Sequence, residues 1–377
     1  MSHIMNTVSV KDIEIIDAHD EYLVDTNGEK YLDWFADVGT VNLGYRPFEL
    51  SRSLGRVPQH IPNTLRNSLK EKAAETVCNM THMDKVFFCN SGSEAVEAAI
   101  KIVRKWNYLL ERKCKTIYTY KDGFHGRTYG AVSAGDGAKY HYEGFEPHLE
   151  GFKHFTEISE IDFDDAQAVM LATMFGNNDA IVYDKTWMRI LAEECKQHNV
   201  PLVFDEVQVG SGRTGFFNGF DNYDVIPDVM CLGKGIACGV PTGLTLARGG
   251  FAEVFKPGVH YSTFGGSPLS CSGILHLIDR YKDDRLMLKI IADGDEIMNE
   301  LQNMNHLSNV RGKGLWIAFD VDDDRAMELS DEMLRNKLFV PTFRMNAIKI
   351  TPMLNNNSVG KGLEIIYKSI KNIFGDV

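Results

Sequence analysis

The chain has 377 residues, 44% of them hydrophobic and 24% charged, enough for one large apolar core with a smaller unit beside it. Its net charge of −12 argues against a broad phosphate-binding surface, so bulk electrostatic affinity for nucleic acid is not expected. No apolar run approaches membrane-spanning length, the N-terminal "MSHIMNTVSV" lacks a secretion pattern, and seven scattered cysteines suit reduced core thiols, so the expected setting is cytoplasmic, with no disulfide framework and no metal site.

From the N-terminus, "YLVDTNGEKYLDW" (22–34) reads as a hairpin turning at Asn27-Gly28. "KVFFC" (85–89) is a strand leading into the helical "NSGSEAVEAAIKIVRKW" (90–106), with Ala95, Ala98, Ala99, Ile102, Val103 and Trp106 on one face. Further strands are expected at 116–120, 168–171, 201–207, 229–232 and 243–247, with a helix at 187–198. Short β-branched runs alternating with helical stretches predict parallel βαβ units. Toward the C-terminus, a strand at 314–321, a helix at 325–337, a strand at 347–350 and a helix at 359–373 read as a smaller α+β unit.

Three stretches carry chemistry. In "NSGSEA" (90–95), Ser91 and Glu94 fit a capping box, and a glycine-bearing turn opening a helix is either a plain cap or an anion site, where free amides and the helix dipole face a ligand. In "VFDEVQVGSGRTG" (203–215), Asp205 and Glu206 follow a strand at the end where open α/β sheets bind ligands. A carboxylate preceded by Val203 and Phe204 is poorly hydrated and needs a cationic partner or a metal, yet no histidine or further carboxylate lies nearby in sequence. In "CLGKGIAC" (231–238), Lys234 stands between glycines and apolar residues just after another strand, a desolvated setting for an amine.

These pieces, with "YLDWFADVGTVNLGY", "GFHGRTYGAVSAG", "HYSTFGGSPLSC" and "VRGKGLWIAFDV", resemble in wording and order the class III aminotransferases, the ornithine and acetylornithine group of pyridoxal-phosphate enzymes, over nearly the whole chain. The resemblance implies fold type I: a large domain at 45–275 with a mostly parallel sheet flanked by helices, and a small α+β domain built from 1–44 and 276–377. It implies pyridoxal 5'-phosphate (PLP) as cofactor and Lys234 as the Schiff-base lysine and proton shuttle, with Asp205 on the pyridinium nitrogen. It further implies Gln208 on the phenolic oxygen, Phe124 stacked on the ring, and Ser91, Gly92 and Ser93 around the phosphate. Thr263 would reach the phosphate of a neighbouring subunit, so a homodimer with shared sites is expected. Arg127 would bind a substrate carboxylate, and Trp34 is carried over as a substrate contact.

The chain also departs from the family pattern. "LATMFGNND" (171–179) puts Asn177 where the family carries the second glutamate of its Glu-Pro and Gln-Gly-Glu-Gly stretch, and "AIKITPML" puts Lys349 where it carries an arginine for the substrate's α-carboxylate. Lysine binds a carboxylate only as a point charge. The stretch 44–60 is short and lacks the usual Gly-His-x-His-Pro opening. The expected function is a PLP-dependent aminotransferase acting on an amino acid or terminal amine with an atypical amino donor or acceptor. The alternative is a decarboxylase or lyase on the same fold, acting on an amino acid carried by a larger molecule. A non-catalytic cofactor-binding protein is disfavoured by the joint presence of Lys234, Asp205 and Gln208.

Overall fold

The computed structural model describes residues 3–5, 7–175, 180–342 and 344–375. Its largest element is a seven-stranded sheet ordered Lys85–Cys89, Gly243–Ala247, Val229–Leu232, Leu202–Asp205, Ala166–Ala172, Thr116–Tyr120 and Phe152–Phe155. Gly243–Ala247 runs antiparallel to both neighbours, and the remaining pairings are parallel. Helices cover the sheet, so its central strands are apolar along their whole length: "VMCL" and "LVFD" are buried at every position. Strand Leu202–Asp205 stops earlier than the apolar run suggests, because the Val207 amide turns back to donate to Asp205 Oδ1 at 3.0 Å.

The helix Gly92–Leu109 buries Ala95, Ala98, Ala99, Ile102 and Val103 against this sheet. Ser91 caps it by accepting from the Glu94 amide at 3.2 Å, whereas the Glu94 carboxylate reaches past Ser91 to the Asn90 amide at 2.6 Å, so the capping box closes one residue early. Three helices not foreseen from periodicity, Ser68–Thr81, Pro268–Tyr281 and Asp284–Gln302, complete the packing.

The N-terminal hairpin forms as expected, with Gly28 at φ +80° in its turn. Its strand Lys30–Asp33 is joined in parallel by Leu338–Phe339, which stitches the first residues of the chain to the last. A separate three-stranded antiparallel sheet contains Leu307–Lys313, Trp316–Val321 and Ala347–Ile350. The fully buried Arg213 links these parts to the large sheet, donating to the carbonyls of Leu315 and Pro352 and to Asn42 Oδ1. Burial lowers its pKa to about 10, so it remains charged at neutral pH. All seven cysteines are free and buried. Among the described residues no helix is long and apolar enough to cross a membrane.

Trp34 is wholly buried under the C-terminal helix Val359–Phe374, where Gly362 leaves room for its indole. A Gly362→Ala methyl would land inside that ring, whereas Gly360 has nothing within 4 Å of its would-be Cβ. Gly362→Ala is therefore expected to lower stability by about 2 kcal/mol. Gly360→Ala should leave the melting temperature unchanged or raised, and thermal denaturation of the pair checks both.

Candidate active site

The parallel strands deliver their C-terminal ends to one edge of the sheet, and a cavity of about 200 Å³ opens there, lined by Ser93, Phe124, His125, Asp205, Gln208 and Lys234 among others. Residues from four separate segments meet at this edge because strand register, not sequence proximity, aligns them: Asp205 pairs with Ala172 on one side and Cys231 on the other.

Asp205 is 5% exposed and is held from two sides, by the Val207 amide on Oδ1 and by His125 Nδ1 on Oδ2 at 2.7 Å. Two acceptors would repel at that distance, so His125 carries its proton on Nδ1 and donates it to the carboxylate. Its Nε2 is buried without a hydrogen-bond partner among the described residues. The partner that a buried Asp205 requires is thus His125, eighty residues earlier in the chain. His125 stands inside the "GFHGRT" block, next to Phe124, and local sequence alone did not single it out. The adjacent Glu206 points away from the cavity. It is fully buried and accepts from the Gly219 and Phe220 amides, both at 2.7 Å, and burial raises its pKa to about 8.

Lys234 begins a short turn, Lys234–Ala237, with its backbone in the left-handed region at φ +47°. The conformation is enforced by its neighbours: Gly235 packs on the Asn42 side chain and Gly273 of the helix Pro268–Tyr281 packs on the Ala237 carbonyl, each with no space for a Cβ. Among the described residues the Lys234 amine has no hydrogen-bond or ion-pair partner. Desolvation lowers its pKa below the usual lysine value, an effect the charges of Asp205 and Asp37 only partly offset.

At the far wall, the first-turn amides of Gly92 and Ser93 have no intrahelical partner, as at any helix start. Gly92 has a second reason to be glycine: its would-be Cβ lies 2.5 Å from Val207 Cγ1, so it lets the helix start pack against the loop after Asp205. Gly126, at φ +139°, does the same for the Phe124 loop, which seats on Ser93 Oγ through the Arg127 amide at 3.3 Å. The Arg127 guanidinium is exposed and lies 5.6 Å from the Phe124 ring centre.

Other expected contacts fall elsewhere. Trp34, expected as a substrate contact, does not line the cavity: at 0% exposure its indole is packed in the core. Lys349 is 5% exposed and places its amine 3.3 Å from Gln208 Oε1, behind the cavity wall. Thr263 lies in an exposed loop outside the cavity. Asn177 lies outside the described residues.

Comparison with known proteins agrees with this geometry. The family model "Aminotransferase class-III" matches residues 5–370. Among curated relatives, the acetylornithine aminotransferase of Oceanobacillus iheyensis is 32% identical over 99% of this chain and 96% of its own. That of Streptococcus mutans is 33% identical over 97% and 98%. The crystal structure of ornithine aminotransferase from Toxoplasma gondii superposes with a TM-score of 0.92 at 25% identity, covering 99% of this chain and 93% of its own. The fold is also that of an amine transaminase from an uncultivated Pseudomonas species, with a TM-score of 0.89 at 22% identity over 99% and 98%. The chain belongs to the class III aminotransferases. It is a PLP-dependent aminotransferase of fold type I.

The left-handed backbone and desolvated amine make Lys234 a local cost to folding. In cofactor-free protein, Lys234→Gly is expected to exceed Lys234→Ala in stability by about 1 kcal/mol, the penalty a Cβ carries in that region. Lys234→Met, which removes the charge, should melt above wild type at neutral pH. With the folded-state pKa depressed, the wild-type penalty is fully present below that lowered value. It fades as pH rises toward 10.5, so the gap should narrow, as melting curves across pH will show.

Proposed function

We propose that this chain transaminates a carboxylate-bearing amine, with Lys234 as the amine that holds the cofactor's aldehyde. The observation that carries this reading is the meeting, in one cavity, of a desolvated lysine without a partner among the described residues and a buried aspartate braced by His125. When bound, PLP supplies an electrophilic carbonyl and a ring that withdraws electrons from the substrate's amino-bearing carbon.

The residues fit that group. Asp205, held by two donors, would offer its remaining lone pairs to the ring nitrogen. Gln208 Nε2, buried with no partner among the described residues, is a donor in want of an acceptor such as the phenolic oxygen. The first-turn amides of Gly92 and Ser93 suit the phosphate, with Ser91 as the helix cap beside them. Phe124, which lines the cavity, would cover a ring face. The Lys234 amine, with its lowered proton affinity, would accept the proton that leaves the substrate's amino-bearing carbon and, as the resulting ammonium, would be the acid that gives it back.

Arg127, exposed beside Phe124 and without a carboxylate partner among the described residues, grips the substrate carboxylate. The relatives named acetylornithine aminotransferase support a substrate carrying a carboxylate remote from the reacting amine. Lys349 stands in the sequence where the family pattern has an arginine and is engaged with Gln208, which supports an amino donor or acceptor other than the usual glutamate pair. Thr263, flanked by the exposed Tyr261 and Phe264, supports a homodimer in which this loop meets the second copy. Light scattering of the purified protein measures that mass.

Purified protein supplied with PLP should turn yellow and be fixed by borohydride on Lys234, and Lys234→Ala should do neither. A panel of amines should yield keto products with stoichiometric cofactor amination, whereas carbon dioxide release without any keto acceptor would overturn the transamination. Arg127→Met is expected to raise KM about tenfold or more for carboxylate-bearing amines while sparing amines without a carboxylate, a split that steady-state kinetics resolves.

A further inference from the structure

Lys349 lies on the edge strand Ala347–Ile350, opposite Ala318 of Trp316–Val321. It is 5% exposed, with its amine 5.8 Å from the centre of the Trp316 ring and 3.3 Å from Gln208 Oε1. An ammonium donates and never accepts. The contact therefore settles which end of the Gln208 amide faces which way: Oε1 is taken by Lys349, and Nε2, buried and unpartnered among the described residues, is left on a side chain that lines the cavity with Asp205 and Lys234.

We propose that Lys349 is a positioning residue for Gln208, locking its amide so that Nε2 donates into the cofactor site, and is not a ligand for the substrate carboxylate. The proposal rests on the functional reading above, in which Nε2 faces the phenolic oxygen of bound PLP. An amide is nearly symmetric in shape, so without Lys349 nothing in this contact prevents a flip that presents Oε1 lone pairs to that oxygen. A donor there favours the ionised phenolic oxygen, and an acceptor disfavours it. The ammonium also polarises the amide it binds, strengthening the Nε2 donor.

The test is the pH midpoint of the bound cofactor's visible absorption, read on holoenzyme without substrate. Lys349→Met should raise it by about one pH unit, the worth of one hydrogen bond to a charged oxygen. Gln208→Ala should raise it similarly, and Lys349→Met added to Gln208→Ala should move it no further. Lys349→Arg, which keeps a charged donor, should hold the wild-type midpoint. Lys349→Leu serves if Lys349→Met does not fold. A shift that persists in the Gln208→Ala background comes from direct charge and overturns the proposal. So does an unchanged midpoint, whether or not KM for carboxylate-bearing donors rises tenfold. A wild-type protein with no visible band would instead bring down the underlying functional reading, and the two failures are thereby distinct.

Discussion

A carboxylate that sits 5% exposed at the end of an all-buried strand must be satisfied or be neutralised, and Asp205 is satisfied by one histidine ring and one backbone amide. Most of the site follows from that bracing. His125 can reach Asp205 only if the Phe124 loop lies flat on the sheet edge, which in turn requires Gly126 against Ser93 and Gly123 against the Tyr120 carbonyl. The same loop presents Phe124 to the cavity and leaves Arg127 exposed beside it. The buried aspartate thus organises residues on which it makes no direct contact.

The lysine opposite it is fixed by a different means. The turn Lys234–Ala237 is pressed between the Asn42 side chain and the helix Pro268–Tyr281, and glycines at 235 and 273 permit both approaches. Asn42 is itself held by Arg213, the buried cation that also binds the carbonyls of Leu315 and Pro352. The left-handed backbone at Lys234 is therefore over-determined by packing from several chain segments, which is the condition under which such a conformation persists. An amine so held has lost water without gaining a partner among the described residues, and this is the state in which it can act as a nucleophile and base.

Other polar residues near the site illustrate how local order misleads. Asp205 and Glu206 are neighbours in sequence, yet where the strand ends their side chains part, one to the cavity and one to the Gly219 and Phe220 amides. Gly92, readable as a close approach for a ligand, is required first by Val207. Trp34, a large aromatic in a block that resembles the family, turns out to be packing for the last helix.

Much was legible in the chain alone. Strands 85–89, 116–120, 229–232, 243–247 and 347–350 were read at the bounds they adopt, because short apolar runs between turn residues leave little choice of period. The helix Gly92–Leu109, the cap at Ser91 and the location of Lys234 and Asp205 just past strand ends were readable for the same local reason. Helix Ser68–Thr81 is not, since polar and charged residues dilute its apolar stripe, and in Asp284–Gln302 the buried face includes Asp293 and Gly294, which read as polar and breaking positions. What tertiary structure alone decided are the pairings across long separations: His125 with Asp205, eighty residues apart, and Lys349 with Gln208, 141 residues apart. Composition and spacing specify which side chains stand at strand ends. The order and register of the strands decide which of those ends become neighbours, and hence which donor meets which acceptor.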